Sequence, residues 1–109
     1  MKTKELTGVA LDWAVAQAWY GTEYDMSLPL FDDGLTFQPS ALWQHGGPII
    51  EREVIDVFRN YEERCWQAEA NRYGGCPMAR GEAPLIAAMR CFVASRLGDE
   101  VNIPEELIS

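Results

Sequence analysis

Apolar residues recur at helical spacing near both ends of this chain. Leu6, Val9, Trp13, Ala16 and Tyr20 fall three or four positions apart, and Leu11, Val15, Ala18 and Trp19 widen the stripe. Asp12 is the only charge between Val9 and Tyr20, and no proline or glycine interrupts them. The spacing predicts a first helix with Thr7 as its N-cap and Gly21 as its terminator. A helix this apolar needs cover on more than one side. Asp12 falls in its early turns, where the helix dipole favours a negative charge. Near the other end, Ile86, Met89, Val93 and Leu97 form a second stripe, widened by Leu85 and Phe92. Pro84 suits the first helical position, Gly98 the stop, and Arg96 in the last turn suits the dipole.

Between the helices the period changes. Val54–Phe58 and Cys65–Ala70 fit a helical repeat and also two strands. The β-branched Val54, Ile55 and Val57 with the aromatic Phe58 and Trp66 favour strands, and Asn60 with its polar neighbours supplies a turn. The prediction is a hairpin. Residues 39–53 read as two short helical turns separated by Gly46-Gly47, or as one kinked helix, with Ser40 as a cap and Pro48 opening the second turn. Residues 21–40 read as a long surface connection with room for an extra strand at Leu35-Thr36-Phe37, and Tyr73–Glu82 as a loop. Residues 99–109 form an acidic tail that Val101, Ile103, Leu107 and Ile108 can pin to the body, with a short turn at Pro104–Leu107. The expected fold class is α+β: three helices packed on a small antiparallel sheet, a single domain over residues 1–109.

Charge narrows the partners. Nine Lys and Arg face seventeen Asp and Glu, a net charge of −8. Sequence-independent nucleic-acid binding rests on Lys and Arg neutralising phosphates, and no basic block occurs here, so direct nucleic-acid contact is not expected. Acidity serves solubility, a basic protein partner, or mimicry of DNA. The cysteines, Cys65, Cys76 and Cys91, are odd in number and unpaired in spacing, which predicts reduced thiols, with Cys76 in the Gly74–Pro77 turn the most accessible. No run reaches the length of a membrane span, and Met1–Glu5 has no apolar run behind it, so a cytoplasmic protein is expected.

The chemistry-bearing residues are sparse. One histidine, His45, offers no recognised nucleophile–base pair, neither glycine pair matches a phosphate loop, and the cysteines and histidine lack zinc-site spacing. The acidic Asp32-Asp33-Gly34 lacks the spacing of a calcium loop. No cofactor, metal site or catalytic residue is expected. Trp13 and Trp19 point to different sides of the first helix, which either is wrapped on both sides or lends one tryptophan to a partner. Trp43, beside the glycine pair, is the better candidate for an exposed anchor. The candidate ligand- or partner-binding residues are Trp43, His45, Gly46, Gly47, Glu51 and Arg52, which can gather near a helix N-terminus where anions are favoured.

Three segments together carry a family likeness. They are Leu6–Ala16, then Pro39-Ser40 with Trp43 and Gly46–Glu53, then Ala83–Val101. In this order they closely resemble the NinX-like family of phages and prophages, from residue 6 to about 107. The resemblance implies a phage accessory protein and transfers no catalytic residue, because no activity is attached to the family. Residues 21–38 and 72–82 carry no part of the resemblance. Three readings follow. The first is a non-enzymatic module that binds a host or phage protein, as monomer or homodimer. The second is a small-ligand-binding domain or small enzyme with its site at residues 43–52. The third is an acidic DNA mimic.

Overall fold

The computed structural model describes residues 1–20, 37–70 and 78–107. Among these residues, three α-helices accompany a three-stranded antiparallel sheet, as the α+β reading predicts. The order is α1 (Gly8–Tyr20), α2 (Trp43–Glu53), β1 (Ile55–Asn60), β2 (Cys65–Ala70), β3 (Met78–Gly81) and α3 (Pro84–Leu97). Single 3-10 turns at Thr3–Glu5 and Glu105–Leu107 lie near the two ends.

The hairpin forms as the β-branched residues predict. Ile55 pairs with Ala70, Val57 with Ala68, and Arg59 with Trp66. Asn60 organises the turn, its Oδ1 accepting from the Glu63 amide at 3.0 Å while its Nδ2 donates to Gln67 at 3.0 Å. The sheet has the order β1-β2-β3. Ile55, Ala68, Ala70 and Ala79 are buried on the face toward the helices, whereas Asp56, Phe58, Met78 and Arg80 on the other face are exposed.

Helix α3 is the centre of the molecule. It touches all three strands, α1 and α2. Leu85, Ala87, Ala88, Met89, Cys91, Phe92 and Val93 are buried, so two adjoining faces of the helix are covered. Pro84 opens the helix and Gly98, with φ of 86°, ends it by donating its amide to Ala94 at 3.1 Å. Arg90 braces the assembly, donating from Nε to the Leu6 carbonyl and from Nη1 to the Arg80 carbonyl, both at 2.8 Å. The tail is pinned at two of the four expected residues: Val101 is buried and Ile103 packs on the core, while Leu107 closes a turn onto Pro104 at 3.0 Å and Ile108 lies outside the described residues.

Four expectations need correction. Tyr73–Glu82 is not wholly a loop, because Met78–Gly81 pairs with β2. Its glycine disguised it. A Cβ at Gly81 would meet the Ala87 nitrogen at 2.7 Å, so the residue is dictated by the close approach of strand to helix. Val9 and Tyr20 belong to no buried stripe on α1 and are exposed, while Leu11, Ala14 and Val15 carry that helix's core contacts. Residues 43–53 form one helix, the second of the two expected alternatives, but it is entered from Leu42 rather than capped by Ser40, with Pro48 inside it. Proline removes the amide that would reach the Gln44 carbonyl, and Gly47 before it has no Cβ to clash with the ring. Val54 is not part of the first strand but caps α2 in the left-handed region, with φ 53° and ψ 56°. The proposed strand at Leu35–Phe37, the Gly21 stop, the acidic stretch around Asp32-Asp33 and the Cys76 turn fall wholly or mostly outside the described residues.

A β-branched residue in the left-handed region is strained. Val54 is 56% exposed and has little burial to lose. Val54→Gly is therefore expected to raise stability by about 1 kcal/mol in urea unfolding. An unchanged or lower midpoint would show that the valine side chain contributes more than the backbone relief.

Candidate functional site

The six candidate residues divide between the interior and the surface. Residues 37–42 form a turn that leads into α2, with Ala41 and Leu42 donating their amides to the Gln38 carbonyl at 3.1 and 2.9 Å. Asp12 of α1 holds this turn, accepting from the Ser40 amide at 2.9 Å. It is buried, so its place in the first helix reflects this long-range bond rather than the dipole alone. Burial pushes its pKa up, against the hydrogen bonds from Ser40 and the nearby His45. His45 holds the same turn from the α2 side. It is 1% exposed, its Nδ1 accepts from the Gln38 amide at 2.9 Å, and its ring stacks on Phe37 at 6.0 Å. Phe37 in turn meets Tyr20 edge-on at 5.5 Å.

The glycine pair is split in role. A Cβ at Gly46 would lie 2.5 Å from the Pro39 carbonyl oxygen and 2.8 Å from Leu85 Cδ2. Only glycine fits where α2 crosses this turn. A Cβ at Gly47 would meet nothing within 4 Å.

At the other end of α2 lies a charged cluster that sequence reasoning did not find. Glu53 is 3% exposed and accepts from Arg96 Nη2 at 2.5 Å and from Arg52 Nε at 3.4 Å. Arg52 lies over the Trp19 ring at 3.9 Å, and Arg96 over Phe92 at 5.4 Å. Trp19 meets Phe92 edge-on at 5.9 Å. One carboxylate and two guanidinium groups thus join α1, α2 and α3. Desolvation, the largest influence on Glu53, raises its pKa, but the Arg96 bond and charge together with Arg52 outweigh it and hold the carboxyl below its ordinary value. Glu53 follows Glu51 in the sequence and shares its charge, and no local signal separates the buried acid from the exposed one. Arg52, expected at a ligand site, is half-exposed at the rim of this cluster, where it pairs with Glu53 and covers Trp19. Glu51 is exposed.

Trp43 stands apart. Trp13, Trp19 and Trp66 pack partly buried against the core, whereas Trp43 at the start of α2 is 57% exposed. The two sides of α1 are therefore covered, the first of the two alternatives that the spacing of Trp13 and Trp19 left open. One turn beyond Trp43 lies the bare Gly47, and three turns beyond lies exposed Val54, so this side of α2 offers an aromatic ring, a gap and an aliphatic end. Among the described residues no three His, Cys, Asp or Glu side chains are placed to share a metal ion, and no helix is long and apolar enough to cross a membrane.

The helix pair, the turn and the hairpin all lie within the span that a family model described as "Bacteriophage P22, NinX" matches, residues 2–96. The chain belongs to the NinX family. No curated protein matches it. In NinX terms, the matched span holds the Asp12–Ser40 bond, the His45 turn and the Glu53–Arg96 pair, and it stops within the last turn of α3.

Proposed function

We propose that this NinX-family chain is a non-enzymatic protein-binding module of the bacterial cytoplasm that acts on a host or phage protein. The observation that supports it is the division of residues 43–52. His45, Gly46 and Arg52 are engaged in the fold, and Trp43 projects from the same helix into solvent beside an uncovered glycine. Tryptophan is the residue type most often found as an interface anchor, and a large ring at the surface has apolar area to bury on a partner. A small-ligand site at residues 43–52 is disfavoured by His45, which is buried and held by the Gln38 amide, whereas the half-exposed Arg52 pairs with Glu53 and lies over Trp19.

The test is affinity capture of the tagged chain from nuclease-treated bacterial lysate at low and high salt, read by mass spectrometry. One stoichiometric protein retained under both conditions is expected, because an apolar anchor is little affected by screening. Retention of nothing would overturn the reading. Retention confined to low salt would favour a charge mimic of DNA.

A further inference from the structure

A groove of about 990 Å³ runs along β3, far from Trp43 in the sequence and on the opposite edge of the sheet from β1, the strand beside α2. One wall is the whole of β3. The other is the N-terminal segment around Lys2–Lys4, which is bridged to Glu100 and anchored by the Thr3 hydroxyl donating to the Gly98 carbonyl at 2.6 Å. Its volume is in the range of sites that enclose ligands or a short stretch of peptide.

The charge of this groove departs from that of the chain. Lys2, Lys4, Arg64, Arg80 and Arg90 line it, five of the nine basic residues in the sequence, together with four acids. That leaves four basic and thirteen acidic residues for everything else, so a groove of nearly balanced charge, its acids being Glu63, Glu82, Asp99 and Glu100, is set in a strongly negative protein. Arg90 is occupied as a brace. Lys2, Lys4, Arg64 and Arg80 form no ion pair among the described residues. A basic residue on an edge strand commonly discourages pairing with another chain. Here basic residues from four separate segments converge on one concavity, which edge protection does not require.

We infer that this groove receives an extended acidic segment of a partner protein, laid alongside β3 with its carboxylates toward Lys2, Lys4, Arg64 and Arg80. Addition of a strand to a sheet edge provides backbone hydrogen bonds, here at β3 positions other than the Arg80 carbonyl that Arg90 already holds, and alternating side chains then provide specificity. Alternation matters, since acids at every second position of an extended chain all face one side. A nucleic-acid strand is disfavoured because it carries a charge on every unit, and those that overhang the groove would meet the negative remainder of the surface. The inference rests on the reading of the chain as a protein-binding module, but not on the Trp43 side of α2.

The test uses the full chain and a fluorescein-labelled decapeptide of alternating glutamate and threonine. Controls are the lysine–threonine counterpart and a single-stranded oligonucleotide of matched charge. Saturable binding of the glutamate peptide is expected, weakened at least tenfold in the Lys4→Glu/Arg80→Glu double variant and unchanged in Trp43→Ala. The amide resonances of Met78–Gly81 should shift on binding. Both substituted residues are exposed, and an unaltered melting curve confirms that the double variant is folded. Absence of binding, equal binding by the double variant, or equally tight binding of either control would overturn the inference. If the peptide fails to bind while a lysate protein is still retained through Trp43, the groove assignment alone falls. If the peptide binds and no lysate protein depends on Trp43, the α2 assignment alone falls.

Discussion

Arg96→Leu is expected to lower stability at pH 7 by about 3 kcal/mol, the cost of leaving a buried carboxylate without its main partner. Glu53 is 3% exposed and its short bond to Arg96 links α2 to α3. Arg52 remains at 3.4 Å and limits the loss. The pH dependence gives a second signature. The folded pKa of Glu53 lies below the ordinary value of 4.5, so the stability contributed by the cluster is present above pH 4.5 and is lost as pH falls through the folded value. The gap between wild type and Arg96→Leu should therefore narrow below pH 4.5, as Glu53 takes up a proton in both. Asp12 acts with the opposite sign. Its folded pKa is raised above 3.8, so its contribution is fully present below that value and is lost as pH rises through the folded one. Asp12 is common to both proteins and cancels from the comparison. Urea unfolding at pH 7 and pH 3 measures the gap. A difference below about 1 kcal/mol at pH 7, or one that persists undiminished at pH 3, would contradict the assignment of Glu53 as a buried ion-pair acceptor.

Gly46→Ala is expected to cost a similar amount, about 3 kcal/mol, for a different reason. The added methyl group would sit 2.5 Å from a backbone carbonyl oxygen and 2.8 Å from Leu85, so relief requires moving α2 away from the turn at residues 37–42. The same movement would disturb the His45–Gln38 bond. For a domain of this size the loss corresponds to a drop in melting temperature of roughly 10–20 °C. Gly47→Ala is the control. It meets no neighbour within 4 Å and carries only the restriction imposed by Pro48, so its effect should stay within about 1 kcal/mol. Equal effects at the two positions would show that the close approach at Gly46 is not what the glycine is for.

The two positions also show how far the sequence could be read. Gly46 and Gly47 are adjacent and identical, and only the packing of α2 on Pro39 and Leu85 tells them apart. Local patterns were legible where the determinant is local. The Pro84 start and Gly98 stop of α3, the β-branched residues of β1 and the Asn60 turn all announce themselves within a few positions. The short strand β3 did not, because its Gly81 is set by α3 rather than by strand propensity. The left-handed Val54 was also invisible, since nothing in a β-branched side chain signals that conformation. Long-range bonds were the least legible. Asp12 and Ser40 are 28 residues apart, and Glu53 and Arg96 are 43 apart. Asp12, Glu53 and Arg96 each look like an ordinary helix charge, and Ser40 like an ordinary helix cap. The same limit applies to the β3 groove, whose basic residues come from the N-terminal segment, the hairpin turn, β3 and α3.

For Trp43, exposure follows from its place at the entry to α2, on the side of that helix where Gly47 provides no support. In the proposed function this side chain binds the partner, while its neighbours His45 and Gly46 stabilise the fold. The most direct test measures melting temperature and partner retention together for wild type and Trp43→Ala. A melting temperature within about 2 °C of wild type and retention at least tenfold weaker are expected, as for loss of an interface anchor that the fold does not use. Undiminished retention of the same partner, or a large fall in melting temperature, would contradict the proposed function.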